Sequence, residues 1–288
     1  MKSTAPIPFW KMSGSGNDFV VIDNRRGIIE SSAASRVTQA VCRHRISVGA
    51  DGVVLIEESS EPGVHFRWRY INADGSDGEM CGNGAMCGAR FAYLNGIAPS
   101  ECVFRTESGL VRAQVDSDPE SVKVRIEVGS PGTITSNIQI EAAGHLYRLH
   151  AILVGVPHTV LVMDDTDQFA PGDEFVTIGR AVRYHAAFAP AGTNLNVITV
   201  KSRGAIRMRT YERGVEDETL ACGTGSIASA IVARSLGLID SPVDVITSSR
   251  RILHVGFDWD GVLATGVNLG GEARIIVQGT INPEALHD

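Results

Sequence analysis

The sequence has no long apolar run, no dense basic stretch and no regular cysteine spacing. Nothing approaches the roughly 20 consecutive apolar residues of a membrane-spanning helix, so no membrane partner is expected. The residues after Met1, Lys2-Ser3-Thr4-Ala5-Pro6, do not open an apolar segment, and no secretory leader is expected. The expected location is therefore cytoplasmic. Lys and Arg number 26 against 33 Asp and Glu, a formal net charge of −7. The cations are scattered, so no phosphate-tracking surface and no nucleic-acid partner are expected. The five cysteines are an odd number without a disulfide framework, and reduced thiols suit the cytoplasm. Cys-X-X-Cys is missing, and the Cys81–Cys87 spacing is too wide for a zinc knuckle, so no metal is expected. Gly14-Ser15-Gly16 lacks the third glycine of a dinucleotide fingerprint, and no Gly-Lys-Ser/Thr follows it.

What is present is the composition of an ordinary globular protein, 43% hydrophobic and 20% charged. Its 288 residues suffice for about two domains. The chain also repeats itself once. Cys81-Gly82-Asn83-Gly84-Ala85 recurs 141 positions later as Cys222-Gly223-Thr224-Gly225-Ser226. The same offset takes Tyr70 to Tyr211 and Gly96 to Gly237. Acidic residues precede both cysteines, Asp77 and Glu79 in one half, Asp217 and Glu218 in the other. Val103-Phe104 and Leu110-Val111 match Val245-Ile246 and Ile252-Leu253, each set reading as a hairpin. A series of matches in one order implies two copies of one unit, with expected boundaries 1–130 and 131–288. Residues near 273–281 could return as a strand to the first half.

Short β-branched runs such as Val53-Val54-Leu55-Ile56 and Val197–Val200 are separated by turn residues. Helical stretches are few: about 33–45, then 84–95 and its twin 225–236, each twin halted by a glycine that accepts positive φ. The fold class expected is α+β, each half a mainly antiparallel sheet around one central helix.

Each Cys-Gly-X-Gly stands at the start of a twin helix. The first turn of a helix leaves backbone N–H groups without partners and carries partial positive charge, which suits a carboxylate. Glycines admit the substrate to the backbone, and the same field favours thiolate. Two such segments would place one thiol on each face of an α-carbon: one removes the proton and the other returns it, while N–H dipoles stabilise the carbanion. A single Cys-Gly-X-Gly would read as a buried small hydrophobe beside a turn; its duplication argues for chemistry. Cys87, whose counterpart is Ala228, together with Cys42 and Cys102, reads as core.

Several segments bear a likeness beyond this repeat. They are Met12-Ser13-Gly14-Ser15-Gly16-Asn17-Asp18-Phe19, Asn72-Ala73-Asp74-Gly75-Ser76, Met80-Cys81-Gly82-Asn83-Gly84, Gly192-Thr193-Asn194-Leu195-Asn196, and the run from Tyr211 to Gly225. In them the sequence resembles the diaminopimelate epimerase family of cofactor-independent amino-acid racemases, over about residues 9–281. The resemblance implies two pseudo-symmetric halves with the active site in the cleft between them. It implies interconversion of LL- and meso-2,6-diaminopimelate, a diamino dicarboxylate, for lysine and peptidoglycan synthesis, without pyridoxal phosphate or metal. It makes Cys81 and Cys222 the catalytic pair, with Glu212 and His158 as auxiliaries. Gly82, Asn83, Gly223 and Thr224 would hold the reacting carboxylate. Asn17 and Glu212 would lie near its amino group, and Asn72, Asn196 and Arg213 would grip the distal end. Arg213 suits that task because its planar fork matches a carboxylate. The family also implies a homodimer. One motif departs: Gly-Asn-Pro-His reads Gly155-Val156-Pro157-His158, and valine has no side-chain hydrogen bond to offer. Asp51 reads as a turn carboxylate.

Overall fold

The computed structural model describes residues 6–78, 80–118, 120–166 and 173–286; Glu79 lies outside them. The chain divides into two compact units, Met1–Ile126 with Gly271–Asp288, and Glu127–Gly270.

In the first unit, β1 (Ile7–Gly14) pairs antiparallel with β2 (Asn17–Asp23). Helix α1 (Ser31–Cys42) then crosses to β3 (Gly52–Glu57), which lies parallel to β2. β4 (Phe66–Asn72) returns antiparallel to β3 and carries the short β5 (Asp77–Gly78) beside it. After helix α2 (Gly82–Leu94) come β6 (Glu101–Thr106), parallel to β4, and the antiparallel β7 (Gly109–Val115) and β8 (Lys123–Glu127).

The second unit begins with β9 (Thr135–Ala142), antiparallel to β10 (His145–Val154). It then repeats the scheme element for element. β10 pairs antiparallel with β11 (Val156–Val162), α3 (Asp173–Arg183) crosses, and β12 (Asn194–Ser202) lies parallel to β11. β13 (Ala205–Glu212) is antiparallel to β12 and to β14 (Asp217–Thr219). Helix α4 (Gly223–Ser235) leads to β15 (Val243–Ile246), parallel to β13, and on to β16 (Ile252–Trp259) and β17 (Ala264–Ile281). The residues of β17 from Gly271 onward belong to the first unit, where they pair antiparallel with β1. Both expected hairpins form, with Phe104 opposite Val111 and Val245 opposite Leu253.

Helices α2 and α4 are buried almost all round. The cause is composition: their residues are mostly Gly, Ala, Ser and medium apolar side chains, so no polar stripe faces water. Strands of the same unit pack around each helix, β1–β4 and β7 around α2, and β10–β13, β15 and β16 around α4. Small residues let the sheet approach closely. A Cβ on Gly88 would stand 2.7 Å from Trp68 Cδ1, and the Trp68 indole N–H donates to the Gly84 carbonyl at 3.3 Å. Both helices end alike. Gly96 (φ 65°) and Gly237 (φ 72°) sit in the left-handed region, and the amides of Ile97 and Leu238 return to the carbonyls of Ala92 and Ala233. That is the Schellman arrangement, which satisfies last-turn carbonyls.

The structure differs from the sequence expectation in detail. α1 ends at Cys42 rather than near 45, because Arg43 turns extended and Arg45 adopts φ 67°. α3 was not expected, although its buried apolar side chains Phe175, Ile178 and Val182 have helical spacing. Val156-Pro157-His158 opens β11. Among the described residues no helix is long and apolar enough to cross a membrane.

Candidate active site

Cys81 and Cys222 are the N-cap residues of α2 and α4, with nearly equal backbone angles: φ −139°, ψ 111° and φ −132°, ψ 113°. In each case the cysteine carbonyl takes the first helical bond, from Ala85 and from Ser226. Cys222 Sγ accepts the amide of Gly225 at 3.4 Å and lies 3.6 Å from Thr224 Oγ1. Gly225 has to be glycine, since a Cβ would fall 2.3 Å from Asn196 Oδ1 and 3.2 Å from Cys222 Sγ. The other three thiols are buried. Burial pushes Cys42 up to about 12 and Cys102 to about 11, and raises Cys87 further.

In the first unit Asn17 and Asn83 come together with a residue not singled out for the site. Asn83 Nδ2 donates to Asn17 Oδ1 at 2.7 Å, and Asn17 Nδ2 donates to Asp51 Oδ2 at 3.0 Å. Asp51 also accepts the amide of Asp18 at 3.2 Å, while Asp18 Oδ1 accepts the amide of Asp51. Lys11 completes the cluster, paired with Asp18 at 2.6 Å and donating to the Gly49 carbonyl. Asn83 is buried, and its Oδ1 has no partner. Asp51 is thus more than a turn carboxylate: it fixes which way the Asn17 amide faces. Asn72, at the end of β4, donates to Ser76 Oγ at 3.0 Å and to the Ser76 carbonyl at 3.3 Å.

In the second unit, Glu212 closes β13 and Arg213 follows it, both half-buried. The Arg213 amide donates to Asn194 Oδ1 at 2.6 Å, and its guanidinium to the Ala191 carbonyl at 3.3 Å. Asn194 Nδ2 donates to the Pro157 carbonyl at 3.1 Å, so this residue, overlooked in the sequence, links Arg213 to the segment before His158. Asn196, expected at the distal end of the substrate, is instead 0% exposed, and its carboxamide is spent inside the unit. Its Nδ2 donates to the Thr159 carbonyl at 3.0 Å and lies 3.2 Å from His158 Nδ1, while its Oδ1 accepts from Thr210 at 3.0 Å. His158 is 1% exposed. Desolvation first, then the cation of Arg213, lowers its pKa to about 3, so the ring is neutral. An open pocket of about 320 Å³ is lined by His158, Pro157, Thr193, Gly192 and Phe188 among others. Among the described residues no three His, Cys, Asp or Glu side chains are gathered to hold a metal ion.

The fold, a unit repeated once around a buried helix, recurs in solved structures of low sequence identity. It is shared with a probable proline racemase from Agrobacterium radiobacter K84, at a TM-score of 0.73 over 97% of this chain and 95% of that one, with 14% identity. The diaminopimelate epimerase family model matches residues 9–134 and 150–253. A diaminopimelate epimerase of Hydrogenobaculum sp. (strain Y04AAS1) is 42% identical over 263 residues, 89% of this chain and 93% of that protein. One from Aquifex aeolicus (strain VF5) is 40% identical over 288 residues, 97% of this chain and 99% of that protein. The chain belongs to the diaminopimelate epimerase family.

Proposed function

We propose that this protein interconverts LL- and meso-2,6-diaminopimelate by two-base proton transfer between Cys81 and Cys222, supplying lysine and peptidoglycan precursors. One observation carries the reading: two cysteines with the same backbone conformation cap the buried helices of a repeated unit. A substrate carboxylate is held by first-turn amides at Gly82, Asn83, Gly223 and Thr224, where the helix ends favour negative charge. A thiolate on one side removes the α-proton, and the thiol on the other side delivers a proton to the opposite face. Charge developing on the carboxylate meets N–H dipoles already oriented toward it. Asn17 and Glu212 attend the amino group, with His158 beside them. Asn72 and Arg213 take the distal end, and Asn194, buried like Asn196, is better placed than it to join them, because it already holds the Arg213 backbone. The side chains supply both the acid and the base, so the scheme calls for neither pyridoxal phosphate nor metal. The protein works in the cytoplasm as a homodimer.

The test is solvent exchange. Reduced protein free of pyridoxal phosphate, incubated in deuterium oxide, is expected to place deuterium at the α-carbon of LL-diaminopimelate while the meso isomer appears, and to leave proline unlabelled. Absence of label from both diaminopimelate isomers in folded, reduced protein would refute the assignment.

A further inference from the structure

His158 and Asn196 form a buried polar pair on neighbouring parallel strands, β11 and β12. The carbonyl of Thr159 can only accept, so the Asn196 atom facing it at 3.0 Å is the amide nitrogen. The opposite arm accepts from the Thr210 hydroxyl at 3.0 Å, which holds the carboxamide the same way round. An amide nitrogen carries two hydrogens. One goes to Thr159, and the other points at His158 Nδ1, 3.2 Å away. Nδ1 must then be the acceptor, and the single ring proton of the neutral imidazole sits on Nε2. Nε2 is buried without a partner in the protein, and a buried unpaired donor costs about 1–3 kcal/mol. His158 also lines the pocket of the second unit.

We propose that Asn196 is a positioning residue that holds His158 as the neutral Nε2–H tautomer, so that the imidazole meets the bound amino acid as a hydrogen-bond donor rather than as a base. This rests on the site reading above. It assigns Asn196 a task different from gripping the distal carboxylate, and it defines the complement of His158 as an acceptor, either a carboxylate oxygen or the lone pair of an unprotonated amine. Thr210 and Thr159 act behind it by fixing the carboxamide. The residues hydrogen-bonded to Asn196 beside His158, Thr159 and Thr210, are uncharged, and Arg213 supplies the nearby positive charge.

Ring-nitrogen NMR of the reduced, 15N-histidine-labelled protein at neutral pH tests this without reference to activity. The His158 signals are identified by their loss in His158→Gln. The expected pattern is an unprotonated Nδ1 with the proton on Nε2. In Asn196→Asp the carboxylate accepts where the amide donated, so the proton is expected on Nδ1. That variant should lose at least tenfold in kcat with a smaller change in KM, and Asn196→Gln should recover part of the loss. A proton on Nδ1 in the unsubstituted protein, or an Asn196→Asp ring state identical to it, overturns the proposal. Should Asn196→Asp fail to fold, the spectrum of the unsubstituted protein decides alone. A protein showing the Nε2–H tautomer but no solvent exchange with diaminopimelate would overturn the substrate assignment and leave the Asn196–His158 assignment standing.

Discussion

Cys81 and Cys222 share a position, at the mouth of a helix rather than within one. Cys87, six residues after Cys81, sits inside α2 with its thiol raised by burial. In the proposed scheme, replacing either capping cysteine with alanine removes one of two bases, and general acid–base groups contribute about 10²–10⁴-fold. Cys81→Ala and Cys222→Ala are each expected to lower epimerisation by at least that factor, measured by isomer-resolved chromatography; near-normal turnover in either would refute the two-base scheme. The cysteines were legible in the sequence through their duplication. Asp51 was not, because it lies 34 residues from Asn17 and only the parallel register of β2 and β3 brings the two within 3.0 Å. Asp51→Ala leaves the Asn17 amide free to turn. A loss of about tenfold in kcat/KM, near 1.4 kcal/mol, is expected with an unchanged circular dichroism spectrum. Unaltered kinetics would show that Asn17 needs no such support.

At the scale of the element, the twin helices were readable from their start and stop residues, and they begin two residues before the expected 84 and 225. The reason is that Gly82 and Gly223 are poor helix formers in isolation, yet here they stand in a first turn enclosed by sheet. α3 escaped notice because its apolar residues are spread among charged and small ones. The helices also depend on the residues they lack. In α2 a methyl at Gly88 would drive into the Trp68 ring at 2.7 Å. Intrinsic helix propensity favours alanine by about 1 kcal/mol, whereas overpacking a core costs about 1–3 kcal/mol. Because Trp68 is fully buried and bonded to Gly84, the clash is expected to win. Gly88→Ala should therefore unfold at a lower denaturant midpoint than the unsubstituted protein, and an equal or higher midpoint would mean that Trp68 yields.

Across the whole molecule, acid sensitivity follows from histidines held neutral. Desolvation lowers the pKa of both His150 and His158, the latter to about 3. The unfolded chain takes up protons below about pH 6.5 that the folded chain refuses, so stability falls as pH falls from there and levels off near 3 for His158. His158 alone accounts for up to about 2 kcal/mol between pH 7 and pH 5. Urea titrations should show that decline, and His158→Gln should make it shallower; an equal slope in the variant would mean that the ring is protonated when folded. The sequence by itself determined that the chain is a duplicated α+β unit with one capping cysteine per copy, because turn glycines, helix stops and Cys-Gly-X-Gly are local features carried by neighbouring residues. Tertiary structure alone decided which polar side chains meet one another. Asn17 joins Asp51, Asn194 joins Arg213, and Asn196 turns inward to His158, since strand register determines which distant donor meets which acceptor, and a buried polar group must find its partner wherever the fold places one.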